Sequence, residues 1–281
     1  MIINADQILD RVRSAAALFL GLGSVFLLAE MMVAPAFAEG LPPAPGFKQG
    51  EIRRDPTGGI VLDGDQIRKR IVPEGFEKRG IGTGFFINGQ GDLVTNHHVI
   101  DGCGYVTVSP VTGGEKIGIV KERDERQDLA LVGTGFRPAV HAPLRSLSSG
   151  YNRERYRIIG YPTRTLPPLD PVRETVILLG RFGPRDWVAV EGEVYPGNSG
   201  GPAFDLYGRI AGVVVAKPDT AAIYQKTGSV VTDRGFLIAV DHLRVFLEAA
   251  GVSYRSVSEA KEFLSDRELD KTVVKLECWR K

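Results

Sequence analysis

Tyr195-Pro196-Gly197-Asn198-Ser199-Gly200-Gly201-Pro202 is the stretch on which the reading of this chain turns. Glycines on both sides of Ser199 permit backbone angles that other residues resist, so the hydroxyl can stand out of a tight turn. In such a turn the N–H groups of Gly197 and Ser199 can converge. Converging N–H groups form an oxyanion hole, which stabilises the tetrahedral intermediate of acyl transfer by about 3 kcal/mol per donor. Taken alone, the stretch also fits an ordinary glycine-rich loop. After the serine come two glycines, Pro202 and then the turn-like Asp205-Leu206-Tyr207-Gly208, a run that reads as strand and hairpin rather than helix.

A serine needs a base, and the chain has 4 histidines: His97, His98, His141 and His242. Two stand together in Leu93-Val94-Thr95-Asn96-His97-His98-Val99-Ile100, where an apolar run ends in a turn that can hold an imidazole at a cleft. His141 and His242 are expected at the surface. A neutral imidazole needs an acceptor on its other nitrogen, and Asp128, which opens the apolar run Leu129-Ala130-Leu131-Val132, is the best candidate. A carboxylate beside such a run is costly to bury unless paired. A strand-capping turn residue is the alternative for Asp128.

These three segments together resemble the trypsin/chymotrypsin-like serine peptidases, particularly the bacterial exported branch that includes the HtrA-like proteases. Thr95-Asn96-His97-His98-Val99, Asp128-Leu129-Ala130-Leu131 and Gly197-Asn198-Ser199-Gly200-Gly201 match that branch's motifs in its order, His then Asp then Ser, over roughly residues 70–250. The resemblance implies an all-β chain of two six-stranded antiparallel barrels with the site between them, closed by a C-terminal helix. It implies His98 as base, Asp128 as orienter, Ser199 as nucleophile, and Gly197 with Ser199 as oxyanion donors. Counting on from Ser199, it puts the S1 wall at Val215, Ala216 and Lys217 and aligns Glu193 with the pocket base. An inward Glu193 would favour Arg or Lys at P1; the preferred reading has it facing solvent. The Gly-x-Ser-x-Gly elbow of α/β-hydrolases is excluded, because that elbow opens a helix and its histidine comes last, leaving only His242.

Composition agrees with a β-rich globular chain. Of 281 residues 43% are hydrophobic and 25% charged, which excludes collagen-like, disordered and polytopic membrane classes; 34 glycines and 17 prolines favour short strands joined by turns. Lys plus Arg (35) against Asp plus Glu (34) gives a net charge of +1, no footprint for a polyanion, so nucleic acid is not an expected partner. Protein or peptide substrates are. Asn88-Gly89 between apolar runs signals a hairpin, and Asp241 is expected to cap a helix that presents Leu243, Phe246 and Leu247 on one face and stops at Gly251. Gly80-x-Gly82-x-Gly84 lacks the Lys-Ser/Thr of a phosphate loop and reads as a strand start.

The chain divides into a signal peptide (1–38), a linker and N-terminal arm (39–68), an N-terminal barrel (69–148), a C-terminal barrel with closing helix (149–251) and a tail (252–281). Arg11 and Arg13 precede the apolar run Ala15 to Ala29, and Ala36-Phe37-Ala38 is a small-x-small cleavage pattern, so export to the periplasm or medium is expected. Membrane attachment is expected only if this segment stays uncleaved. No cofactor and no metal site is expected, for neither cysteine belongs to a Cys-x-x-Cys pair and no His-Glu-x-x-His run occurs. Cys103 and Cys278 are expected to form one disulfide, with the tail's Val274, Leu276 and Cys278 alternating as a final strand; two unrelated buried thiols are the alternative. Arg68-Lys69-Arg70-Ile71-Val72 looks like a zymogen cleavage site, yet Asn198 stands where a new N-terminus would need an aspartate, so the triplet reads as a surface turn. Residues 252–281 are too few for the PDZ domain of HtrA-like proteases. The competing functional reading is a binding or scaffold protein of the same fold, its cleft blocked by a loop such as Pro162 to Pro171.

Overall fold

The structure, a computed structural model, describes residues 53–54, 60–61, 71–147, 153–163, 170–182, 185–216, 234–258 and 263–281. The leading segment 1–38, most of the arm 39–68, the basic triplet, the middle of the Pro162 to Pro171 loop and Lys217 lie outside those residues. Residues 1–63 and 64–281 are separate units. Within the first, β1 (Arg53–Arg54) pairs antiparallel with β2 (Ile60–Val61).

The second unit begins with the hairpin that Asn88-Gly89 signals. The Asn88 side-chain oxygen accepts from the N–H groups of Gln90 and Asp92, both at 3.1 Å, and so folds β3 (Glu77–Phe86) back onto β4 (Asp92–Thr95). Gly91 takes a φ of 86°, and a Cβ there would lie 2.2 Å from the Phe136 carbonyl oxygen, so only glycine fits. A single helical turn, α1 (His97–Ile100), leads to β5 (Tyr105–Pro110), β6 (Lys116–Asp124) and β7 (Leu129–Gly133).

These five strands do not close by themselves. The sixth is β16 (Val273–Arg280), which enters between β3 and β5 and runs antiparallel to both, giving a closed barrel of order β16-β3-β4-β7-β6-β5. A strand was expected in the tail; its place inside the first barrel is what the structure adds. Without it β3 and β5 would present open edges of unpaired N–H and C=O groups. Val274 and Leu276, both fully buried, drop into the core formed with Phe86, Leu93 and Val108.

The second barrel is built from β9 (Arg155–Gly160), β10 (Val172–Phe182), β11 (Trp187–Glu191), β12 (Pro202–Phe204), β13 (Ile210–Ala216) and β14 (Arg234–Ala239). Its order is β12-β9-β10-β11-β14-β13, closed by pairing of β12 with β13. Two short parallel strands, β8 (Leu144–Arg145) and β15 (Ser256–Val257), extend the sheet beyond β13. Val176, Leu178, Val190 and Leu237 fill this barrel, while Phe85, Leu129, Ile159 and Val213 form the core shared with the first.

Helix α2 (Val240–Ala249) buries Leu243, Phe246 and Leu247 and ends before Gly251, which has a φ of 65°. Its cap differs from expectation. Strand β14 runs directly into the helix, so Ala239 is the N-cap with no side-chain hydrogen bond, and the Asp241 carboxylate instead accepts from Arg181 at 3.0 and 2.7 Å.

A second helix, α3 (Asp266–Thr272), delivers the chain into β16. The Ser265 N–H and hydroxyl both donate to one Glu268 carboxylate oxygen, at 2.8 and 2.6 Å, and hold that carboxyl below its ordinary value. A folded-state value below the unfolded one stabilises the fold at pH above the ordinary carboxylate range and is lost as pH falls through the lowered value. Ser265→Ala is therefore expected to lower the urea midpoint at neutral pH, with the gap to wild type narrowing at acid pH. A gap that is the same at both pH values would contradict the linkage.

Candidate functional site

The turn 195–201 is shaped by its two left-handed glycines, with φ of 93° at Gly197 and 84° at Gly200. A Cβ on Gly197 would meet the Tyr161 carbonyl oxygen at 2.3 Å, and one on Gly200 would meet the Thr83 carbonyl oxygen at 2.2 Å. The turn closes through Asn198 N–H to the Tyr195 oxygen (3.0 Å) and Gly201 N–H to the Asn198 oxygen (2.9 Å), and is tied to β13 by Gly200 N–H to the Val214 oxygen (2.7 Å).

The first barrel pins it from the other side through Thr83, a fully buried residue of β3 that sequence reasoning passed over. Thr83 donates its N–H to the Ser199 carbonyl (2.9 Å) and its hydroxyl to the Gly197 carbonyl (2.6 Å). Its hydroxyl accepts from Tyr161 N–H (3.0 Å), and its own carbonyl accepts the Thr95 hydroxyl (2.7 Å). The flanking glycines were the available signal: a Cβ on Gly82 would lie 2.5 Å from a Val99 methyl carbon, so β3 passes beneath α1 only because Gly82 has no side chain. With the carbonyls of Gly197 and Ser199 both engaged by Thr83, their N–H groups donate to no other group among the described residues.

His98 lies in α1 and meets Asp128 twice. Its ring Nδ1 is 2.7 Å from one carboxylate oxygen, and its backbone N–H donates to the other at 2.9 Å. Asp128, 7% exposed, occupies the left-handed region at φ 60°, which Asp tolerates better than most residues, and the Asn96 amide donates to its carbonyl at 2.8 Å. An Nδ1–H donated to the carboxylate leaves the lone pair on Nε2. The His98 side chain is 49% exposed and lines a cleft of about 320 Å³ together with Gly197 and Ser199. His97 turns away, 13% exposed with Nε2 3.8 Å from the Asp101 carboxylate. The Ser199 hydroxyl donates to the Val215 carbonyl oxygen at 3.1 Å rather than to His98.

Val215 is buried, Glu193 is exposed, and Ala216 ends β13. Cys103 and Cys278 are joined as a disulfide, with Cα atoms 5.3 Å apart, and Cys278 lines the cleft. His141 and His242 are both partly buried rather than at the surface; His242 is 3.0 Å from the Gln127 side-chain oxygen, and burial, helped by Arg255, lowers the His141 value. Among the described residues no group of three His, Cys, Asp or Glu side chains is placed to hold a metal ion.

Residues 82–213, which carry all three segments, match the family model described as a trypsin-like peptidase domain. The chain carries a trypsin-like peptidase domain. It is 32% identical over 192 residues to "Uncharacterized protein y4bJ" of Sinorhizobium fredii, covering 67% of this chain and 30% of that one. It is 27% identical over 263 residues to "Putative serine protease HhoA" of Synechocystis sp., covering 79% and 64%. It is also similar to "Probable periplasmic serine endoprotease DegP-like" of Pseudomonas savastanoi, 28% identical over 141 residues, covering 49% and 29%. The trypsin-like chain thus spans less than two thirds of the length of each of these relatives. A solved structure of the serine endoprotease from Yersinia pestis superposes with a TM-score of 0.52 at 19% identity, covering 61% of this chain and 58% of that one, a likeness of fold. Among the described residues no helix is long and apolar enough to cross a membrane.

Proposed function

We propose that this chain is an exported bacterial serine endopeptidase that cleaves proteins or peptides through an acyl-enzyme. The observation that carries the reading is one cleft lined by Ser199, by a histidine whose Nδ1 is held by a buried carboxylate, and by a turn with two uncommitted N–H groups. The names of the HhoA and DegP-like relatives support the activity, and the DegP-like names support a periplasmic location.

The geometry supports the following steps. A substrate that displaces the Ser199 hydroxyl from Val215 leaves it free to donate to His98 Nε2. His98 takes the proton as Oγ bonds to the scissile carbonyl carbon; the carbonyl electron pair moves to oxygen, where the N–H groups of Gly197 and Ser199 receive it. Asp128 keeps the imidazolium oriented and balances its charge. His98 then gives the proton to the departing amine as the C–N bond breaks, and a water attacks the ester by the same steps in reverse.

The scaffold reading has one observation in its favour, the Ser199 to Val215 hydrogen bond that points the hydroxyl away from His98. A fluorophosphonate probe separates the two. Stoichiometric labelling of wild type that disappears in Ser199→Ala is the expected result; folded protein that takes up no label would overturn the endopeptidase reading.

A further inference from the structure

Beyond His98 and Ser199 the cleft continues along a wall that carries two arginines, Arg79 of β3 and Arg280 of β16, and no carboxylate. The two strands are paired here, with Cys278 opposite Gly80, Trp279 opposite Lys78 and Arg280 opposite Glu77; Arg79 is the extra residue of the bulge between the first two rungs, so both arginines come from the same end of one ladder. Arg280 is held in place without losing its charge: it donates to the Asp101 carbonyl oxygen at 2.5 Å and lies against Gly102, whose Cβ, if present, would be 3.3 Å from the guanidinium carbon. A guanidinium has five N–H donors, and one carbonyl leaves the others for a ligand. Arg79 pairs with Glu77 at 2.8 Å, but the side chains are 54% and 69% exposed, so a competing carboxylate exchanges with Glu77 at little cost.

The surrounding charges do not cancel this pair. Lys78 is matched by Glu277, the Asp101 carboxylate faces His97, and Lys281 sits over the Phe76 ring. The side of the cleft is also defined. In the proposed mechanism His98 hands its proton to the departing amine, so the leaving group lies on the His98 side of Ser199. Cys103 comes just after α1, its disulfide partner Cys278 lines the cleft, and Arg280 is two residues further on, all on the His98 side.

We propose that this wall is a leaving-group subsite that selects acidic side chains, Asp or Glu, in the residues just after the scissile bond. The inference rests on the endopeptidase reading above. Planar carboxylate recognition by paired guanidinium groups supplies both attraction and orientation.

The test uses two internally quenched peptides, identical up to a cut site verified by mass spectrometry and carrying either Asp-Glu or Lys-Lys after it. Wild type is expected to show a kcat/KM about tenfold higher for the acidic peptide at low salt, shrinking towards equality at about 0.5 M salt. Arg79→Gln with Arg280→Gln should bring the ratio to about one, and the double change to glutamate should invert it. The ratio compares two substrates on one enzyme sample, so a partly folded variant does not disturb it. Fluorophosphonate titration of the same samples keeps the two failures apart. Enzyme that labels and cleaves but shows no acidic preference, or a preference the arginine variants leave intact, overturns the subsite; wild type that neither labels nor cleaves overturns the endopeptidase reading beneath it.

Discussion

His98→Ala is expected to lower kcat by about 10⁴- to 10⁶-fold with the fold retained, because the serine then has no base and the remaining rate comes from the oxyanion donors and binding alone. The neighbouring His97→Ala should change kcat by only a small factor, since His97 faces Asp101 and not the cleft. Asp128→Asn is the sharper companion experiment. Asn accepts a φ of 60° about as readily as Asp, so the turn survives, but its amide cannot hold the imidazole with the lone pair on Nε2, and a loss of about 10⁴-fold is expected. Steady-state kinetics on a quenched peptide, with circular dichroism of each variant, decides the point. Near-normal turnover in His98→Ala, or a large loss in His97→Ala, would reverse the assignment of the two histidines.

Loss of the Cys103 to Cys278 bridge should have the largest effect on stability. The cysteines are 175 residues apart, and the chain-entropy model gives about 5 kcal/mol for a loop of that size. The bridge also holds β16, and with it the arginine wall, against the segment leaving α1, so kcat/KM should fall along with the unfolding midpoint. Urea unfolding and peptide kinetics of the Cys103→Ser, Cys278→Ser double variant measure both. Two thiols that alkylate freely in exported protein, or a double variant as stable as wild type, would refute this.

The segments around His98, Asp128 and Ser199 were legible in the sequence because their chemistry is local. Each needs a particular residue beside a particular turn, and glycines, Asn-Gly and a polar residue at the end of an apolar run record those turns directly. What a strand pairs with is not recorded in that way. The alternation of Val274, Leu276 and Cys278 announces a strand but not its address, because Val274 finds its partner Gly84 only through the closure of a barrel. Thr83 escaped notice for the same reason, since its hydroxyl matters only once the second barrel brings Gly197 to it. Asp241 shows the converse error: it has the chemistry of an N-cap, but β14 enters the helix two residues sooner, at Ala239, and Arg181 takes the carboxylate. Helix α3 was overlooked although Ser265-Asp266-Arg267-Glu268 spells a capping box.

The position of β16 sets a timetable for synthesis. Strands β3 to β7 are complete by Gly133, yet their barrel stays open until Val273 to Arg280 has been made and has threaded between β3 and β5. Contacts this distant along the chain are slow to form, because the closure entropy of the intervening segment must be met before the pairing rewards it. The serine turn, at residues 195–201, leaves the ribosome well before the strand that completes the histidine's barrel. A nascent or interrupted chain therefore carries Ser199 on an unfinished scaffold, and under the endopeptidase function proposed above its activity waits until the whole domain has arrived.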